Sequence, residues 1–519
     1  MKNAILYLSL FSLLAGCSTW NTKTLTRKTH TDLESAVLTK RANLEYDVTL
    51  QGYYADGASV AFETGWKVEG DSNIIGLMCE YDAKGKLTKD FKKVDFHIEG
   101  IELWRTSRNL GPNERALFGG TWFLVAADVG LGIICLNDPK TCFGSCPTFY
   151  QGESDHLFNS DAEGFTNAIL PSLEHEDIDA LPHIMYPGKE RIVMKNEALE
   201  THNINEVKLL SVPQIAGTEV FHTPSDQFFR VQQGPALTAE HRGDTISEVL
   251  TRDGNEWFEL ANENDLAAKS ALELSFDADP AKSYGLQVVY RQTLMSTFLF
   301  YGTLENMGGD YGRRMAIMNH SEHQKNWLLK GGIMQFLGPI EVLNSSNKSL
   351  GAFEETGPIA HNSQLLPLGK SDGEITLRLT QGLWRIDHIR IVEIIEEVKP
   401  QIHAVQSVTK NDLTRPEEAV ALTDANQHLQ SLPGEERTLK FAPLTAPSHV
   451  FLASKGYYLE WSRTGWDYEG NPRALRQMLL QPRQYLRDEA AAFKVYESEM
   501  EPKFWDSKIQ QPILTSHEK

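Results

Sequence analysis

Alternation of apolar and polar residues sets the character of the chain from Leu44 to Arg108. The runs YDVTLQGYY, ASVAFETGWKV, NIIGLMCEY and KKVDFHIEGIELW place apolar side chains at every second position, and Asp-Gly, Gly-Asp and Lys-Gly pairs separate them. Successive strand side chains point to opposite faces, so this period predicts short strands joined by tight turns, a small β-roll or barrel over residues 44–108. The texture returns from Cys142 to about Ala453. There VLTRDGNEWFEL predicts a hairpin turning at Asp253-Gly254, while ALELSF and YGLQVVY predict half-buried strands, with Leu272, Leu274 and Phe276 on one face.

Other stretches depart from this period. Residues 18–43 are rich in Thr and basic groups and lack apolar periodicity before Leu33, which predicts a tether. ALFGGTWFLVAADVGLGIICL, residues 116–136, is long enough to span a bilayer, yet Asp128 sits near its middle and Gly119, Gly120, Gly130 and Gly132 weaken any helix through it. It is expected as a buried or surface-docked helical segment within 109–140, with an inserted hairpin as the alternative. Met307 to Leu329 shows helical periodicity broken by glycines, as for a connecting helix or lid. Towards the carboxyl end Asn471 is placed to cap a helix that Pro472 opens, Pro482 forces a break, and Tyr485 to Met500 is amphipathic.

One internal comparison concerns the body of the chain. RIVMKNEALETHNINEVKLLSV from Arg191 and EITLRLTQGLWRIDHIRIVEI from Glu374 share a strand, a polar break and a second strand. Ile204 matches Ile386, Asn205 matches Asp387, Val207 matches Ile389 and Lys208 matches Arg390. A duplicated β-sandwich hairpin and a chance likeness of amphipathic strands both explain this. The expected architecture is mainly β with α additions: a small N-terminal β-roll or barrel, an apolar helical segment, a large β-sandwich region over 141–454 and a C-terminal helical region over 455–519.

Composition narrows the function classes. The 519 residues, 41% apolar and 9% aromatic, are enough for several packed domains. A formal charge of −20 argues against binding nucleic acid, which calls for clustered Lys and Arg.

The amino terminus reads MKNAILYLSLFSLLAGCSTW: a basic Lys2, an apolar run too short for a membrane span, then Leu14-Ala15-Gly16-Cys17. This resembles the lipobox of bacterial lipoproteins. The resemblance implies a signal peptide over 1–16, a lipidated tether over 17–43 and acyl chains on Cys17. At roughly 0.8 kcal/mol per buried CH₂, two or three chains give slow release. Ser18 resembles the outer-membrane sorting pattern, so the expected address is the outer membrane, with the lipid bilayer as partner.

In an oxidising envelope the remaining Cys79, Cys135, Cys142 and Cys146 are expected to favour disulfides. Cys142 and Cys146 are the close pair, separated by Phe-Gly-Ser; a structural clip, free buried thiols and a metal site are the three readings of that spacing. LEHEDIDALPH supplies His175, Glu176, Asp177, Asp179 and His183, and His320 and His323 stand three apart, but an exposed acidic loop explains the former and a third ligand is wanting in the latter. No metal or other cofactor is expected, and no G-x-S-x-G, H-E-x-x-H, Walker or G-x-G-x-x-G pattern names a catalytic residue. KGYYLEWSRTGWDYEG interleaves Tyr457, Tyr458, Trp461, Trp466 and Tyr468 with charged residues, which suits either stacking on a ligand or packing beneath the terminal helices.

The words DPKTCFGSCPTFY, AEGFTNAILPSLE, NEALETH, YRQTLMSTFLFYG, WRIDHIRI and GYYLEWSRTGW together resemble a family of uncharacterised bacterial envelope proteins, over most of residues 40–510. That resemblance implies a β-rich envelope protein and carries over no site. The expected function is a lipid-anchored module that binds or scaffolds a glycan or an envelope protein. The alternative is a hydrolase of glycan or peptidoglycan in which carboxylates such as Glu354, Glu355 and Asp387 meet.

Overall fold

The computed structural model describes residues 21–26, 49–63, 65–69, 73–109, 146–151, 160–322, 332–354, 357–461, 470–506, 508–510 and 512. The signal peptide, Cys17, the apolar run 116–136, Cys142, His323, Glu355, Trp466 and Tyr468 lie outside them. Among the described residues no helix is long and apolar enough to cross a membrane.

The protein is mainly β. The amino-terminal strands are β1 (Asn21–Thr26), β2 (Thr49–Tyr54), β3 (Ser59–Phe62), β4 (Lys67–Glu69), β5 (Asn73–Tyr81), β6 (Leu87–His97) and β7 (Ile101–Asn109). They form one antiparallel sheet in the order β1-β7-β2-β3-β5-β4, with β6 on the far side of β5. Leu50, Val60, Phe62, Trp66, Ile74, Met78, Ile101 and Trp104 fill its core. Gly52 is required there, since a Cβ at that position would sit 2.6 Å from the Trp104 ring. The tether over 17–43 needs correcting at its start. Asn21–Thr26 is a strand in register with β7 from Asn109 to Trp104, because Thr22, Thr24 and Thr26 alternate and Thr favours strands.

The rest of the body uses β8 (Thr148–Gln151), β9 (Ala162–Glu163), β10 (His175–Ala180), β11 (Arg191–Lys195), β12 (Glu200–Pro213), β13 (Glu219–His222), β14 (Phe228–Gln233), β15 (Leu237–His241), β16 (Asp244–Thr245), β17 (Trp257–Phe258), β18 (Lys269–Phe276) and β19 (Tyr284–Gln292). After helices α1 (Met295–Met307), α2 (Tyr311–His320) and α3 (Met334–Leu337) come β20 (Ile340–Asn344), β21 (Ser349–Phe353), β22 (Asn362–Gly369), β23 (Glu374–Thr380), β24 (Trp384–Val398), β25 (Gln401–Lys410) and β26 (Leu413–Thr414). Then follow α4 (Pro416–Ala421), β27 (Leu429–Ser431), β28 (Glu436–Phe441), β29 (Ser448–Glu460) and the terminal helices α5 (Pro472–Leu480), α6 (Pro482–Asp488) and α7 (Ala490–Asp506).

These strands build the same plan twice. In unit 1, β12 lies between β29 on one side and β25 and β27 on the other; β10 flanks β29, and the chain of neighbours β25-β28-β11-β8-β9 continues from β25. In unit 2, β24 lies between β19 on one side and β14 and β17 on the other; β22 flanks β19, and β15-β18-β23-β20-β21 runs on in the same order. The unbroken β25 of unit 1 corresponds to β14 and β15, which Gly234-Pro235-Ala236 separates, and the hairpin partner β26 corresponds to β16. Both central strands carry a bulge at the position that the sequence comparison aligns. Register skips Asn205 between Ile204 and Glu206, and skips Asp387 between Ile386 and His388. Each bulged side chain then ties down the loop leading into the short strand beside it. Asn205 donates to the carbonyls of Ala425 and Gln427 before β27, and Asp387 accepts from the Gly254 N–H before β17.

The halves are exchanged between the copies. Strands β8–β12 and β20–β24 are the two versions of one half; β14–β19 and β25–β29 are the two versions of the other. The first half of copy one pairs with the second half of copy two, and the remaining halves pair with each other. The switches are short: residues 214–218 lead from β12 into unit 2, and Lys399-Pro400 lead from β24 back into unit 1.

Several local expectations change. VLTRDG is not a strand: Glu248–Leu250 is a 3₁₀ turn and Trp257–Phe258 pairs with β24, so Asp253-Gly254 turns a loop held by Asp387. YGLQVVY is buried at every position and not only at alternate ones. The sandwich extends to Glu460, so the helical region begins at Pro472 and not at 455; Asn471 caps that helix, accepting from the Ala474 N–H at 3.1 Å, and Pro482 opens α6 after a break.

Between the units a separate apolar cluster joins Ile178, Leu210, Val212, Phe451 and Ala453 of unit 1 to Val220 and Phe228 of unit 2. His222 is buried against the Phe451 ring, centroids 5.7 Å apart, and burial pushes its imidazole down from 6.5 to about 4. A depressed value means that the unfolded chain takes up a proton below pH 6.5 that the folded protein refuses. The stability His222 contributes is therefore present above pH 6.5 and is lost as pH falls towards 4, by about 3 kcal/mol. Asp177 acts oppositely: burial raises it to about 6, so its share is lost as pH rises from about 4 to 6. Urea unfolding of wild type and His222→Gln at pH 7 and pH 4 separates the two. The variant is expected to lack the acid-side loss that the wild type carries.

Candidate functional site

Among the described residues, the aromatic run Tyr457, Tyr458 and Trp461 makes no stacking platform. β29 is covered on both faces, so Tyr457, Tyr458 and Trp461 are buried: Tyr457 packs on His428, the Tyr458 hydroxyl donates to the Thr166 carbonyl, and the Trp461 indole donates to Thr201. The acidic segment over 175–183 becomes β10 and its approach. Glu176 pairs with Lys208 at 2.9 Å, Asp177 accepts from the Phe165 N–H, and among the described residues no three His, Cys, Asp or Glu side chains are grouped to hold a metal ion. His320 ends α2. Glu354 is exposed while Asp387 is buried at its bulge, so these two are not a facing acid pair.

A different carboxylate pair does face. β12 and β29 run antiparallel with Glu200 directly opposite Glu460, and both are buried, at 0% and 3% exposure. Like charges directly opposite on neighbouring strands destabilise a sheet, so surrounding groups must answer them. Tyr301 on α1 donates its hydroxyl to Glu460, and the Tyr311 hydroxyl of α2 reaches the Glu460 carbonyl at 3.5 Å. His202, two residues along β12, places Nε2 3.6 Å from the Glu200 carboxylate and stands opposite Tyr458.

Cys146 enters from the segment before β8. It is a buried free thiol, as is Cys79; its nominated partner Cys142 lies outside the described residues. Burial pushes the Cys146 thiol well above its usual range, reinforced by the negative charges of Glu163, Glu200, Asp177 and Glu460. Burial likewise holds the Tyr458 phenol neutral, with Cys146, Glu200 and Glu460 adding to the effect. Glu163 accepts the N–H groups of Ile359 at 2.9 Å and Ala360 at 3.3 Å, which fixes unit 2 to unit 1 beside this cluster. The chemistry is that of proton-holding, hydrogen-bonded groups; a neutral, high-lying thiol is not a nucleophile.

Five of the six sequence words meet here. Cys146 belongs to CFGSCPTFY, Glu163 to AEGFTNAILPSLE, Glu200 and His202 to NEALETH, Tyr301 to YRQTLMSTFLFYG, and Tyr458 and Glu460 to GYYLEWSRTGW. The words themselves stand in the sequence, but their convergence appears only in the structure. A second missed feature is Ser211 Oγ, 2.8 Å from His403 Nε2 on adjacent strands. Both are buried, and the nearby Glu190 carboxylate is engaged by the N–H groups of Gly188 and Leu444, so this pair braces the sheet. No protein-family model, curated protein or solved structure matches the chain.

Proposed function

We propose that this protein is a lipid-anchored scaffold of the bacterial envelope, acylated on Cys17 and presenting one rigid double-β body to another envelope protein. The observation that carries the scaffold reading is the exchange of halves. Neither sequence repeat can separate from the other without breaking the sheets of both units, because each unit takes one half from each repeat, so a load on one repeat is borne by both. A protein partner is favoured over a glycan because Tyr457, Tyr458 and Trp461 are internal, whereas Ile395, Ile402, Leu413 and Val420 are exposed along β24, β25, β26 and α4. Exposed aliphatic side chains suit an apolar protein surface better than a sugar face.

The test has two arms. Palmitate should label wild type and not Cys17→Ala. In membranes, a photocrosslinker at Ile402 should yield one discrete adduct with an envelope protein, absent when the crosslinker stands at exposed Glu417 and lost on Leu413→Lys. Absence of palmitate, or adducts indifferent to position, would overturn the proposal.

A further inference from the structure

The proposed anchor and the described fold are separated by very little chain. Only Ser18, Thr19 and Trp20 lie between Cys17 and β1, which begins at Asn21. A fully extended chain advances about 3.5 Å per residue, so Asn21 lies within about 14 Å of an acylated Cys17. β1 is no free tail: it is hydrogen-bonded to β7 over its whole length and lies close to β12 and β29 of unit 1. The short reach therefore constrains the N-terminal sheet and the first sandwich together.

Register fixes which end of the sheet is held. Asn21 pairs with Asn109, the last residue of β7, and Thr22 pairs with Arg108. Lys23 stands next along β1, so basic residues occupy this end in a chain whose overall formal charge is −20. Anionic headgroups attract such positions while repelling the acidic remainder, which favours one orientation over others of equal reach. β7 ends here too, at Asn109.

We infer that the Asn21–Asn109 end of the N-terminal sheet is apposed to the phospholipid surface, so that the bilayer is a contact partner of the folded body. This rests on the lipidation of Cys17. The body is held at the surface, not displayed on a long stalk, and the β25–β26 hairpin is free to face a partner.

The experiment uses full-length protein carrying a photocrosslinking residue at Thr22, at Lys23, or at Asn411 in the β25–β26 turn, in cells fed labelled palmitate. Two positions on β1 sample both faces of the strand. Phospholipid adducts are expected at Thr22 or Lys23 at about ten times the Asn411 level. Inserting about twenty Gly/Ser residues after Thr19 lengthens the mean reach to about 25 Å and should cut the adducts several-fold with palmitate uptake unchanged. Palmitate uptake with β1 adducts no higher than at Asn411, or adducts unmoved by the insertion, overturns the apposition alone. No palmitate uptake overturns the anchor and the apposition together.

Discussion

A fragment of residues 214–400 is expected to fold by itself, whereas fragments 146–322 and 332–461, each one sequence repeat, are expected to show no cooperative unfolding. The first contains all of β13–β24, and in it β24 finds β19, β14 and β17, while β23 finds β18 and β20. Its interior keeps Leu272, Leu274, Leu286, Val288, Leu377 and Ile389. Each repeat fragment instead holds two halves that pair elsewhere. In 146–322, β12 lacks β25, β27 and β29, and β19 lacks β22 and β24, so central strands buried in the whole protein become unpaired edges. Far-UV circular dichroism through a urea titration decides the matter: a single sigmoid for 214–400, and a gradual drift for the others. Cooperative unfolding of 146–322 would mean that its halves can pair with each other, and that the exchange is optional. Mixing the two repeat fragments should restore structure, because together they supply every partner.

What the sequence disclosed divides by distance along the chain. NIIGLMCEY was legible as β5 to the residue, since alternation with the turn at Asp82–Lys86 is a local signal. The match of Asn205 to Asp387 was legible too, because a bulge leaves a polar residue inside an otherwise alternating strand. Which half pairs with which was not, since the partner of β12 is set by the short crossings at 214–218 and 399–400, and either pairing satisfies the same pattern. The facing of Glu200 and Glu460 depends on that pairing and was hidden with it. The aromatic run left stacking and packing both open for another reason. A strand covered on both faces can carry Glu460 internally when Tyr301 answers it, so interleaved charge did not mean exposure.

Replacing Arg437 by Met is expected to cost about 3–5 kcal/mol, the range for breaking a buried ion pair on one side. Arg437 is 3% exposed on β28, and its guanidinium grips Glu418 of α4 through Nε and Nη2 at 2.9 and 3.2 Å. Nη1 reaches Glu435 at 3.0 Å and Ser431 at 3.1 Å, so one side chain ties α4 to the turn between β27 and β28. Burial alone would raise the Glu435 carboxyl, but Arg437 and Lys410 outweigh it and hold it below its ordinary value. Such a group contributes stability above the unfolded pKa and loses it as pH falls through the folded one. The penalty of Arg437→Met is therefore greatest at pH 7 and shrinks in acid, where the stranded carboxylates take up protons. Adding Glu418→Met removes the stranded partner and should recover much of the loss at pH 7, since Glu435 keeps Lys410 at 2.7 Å. Urea midpoints of the single and double variants at pH 7 and pH 4 measure both effects. A single variant within about 1 kcal/mol of wild type at pH 7, the range of a solvent-exposed pair, would show that the guanidinium is solvated in the folded protein and that α4 is held by packing alone.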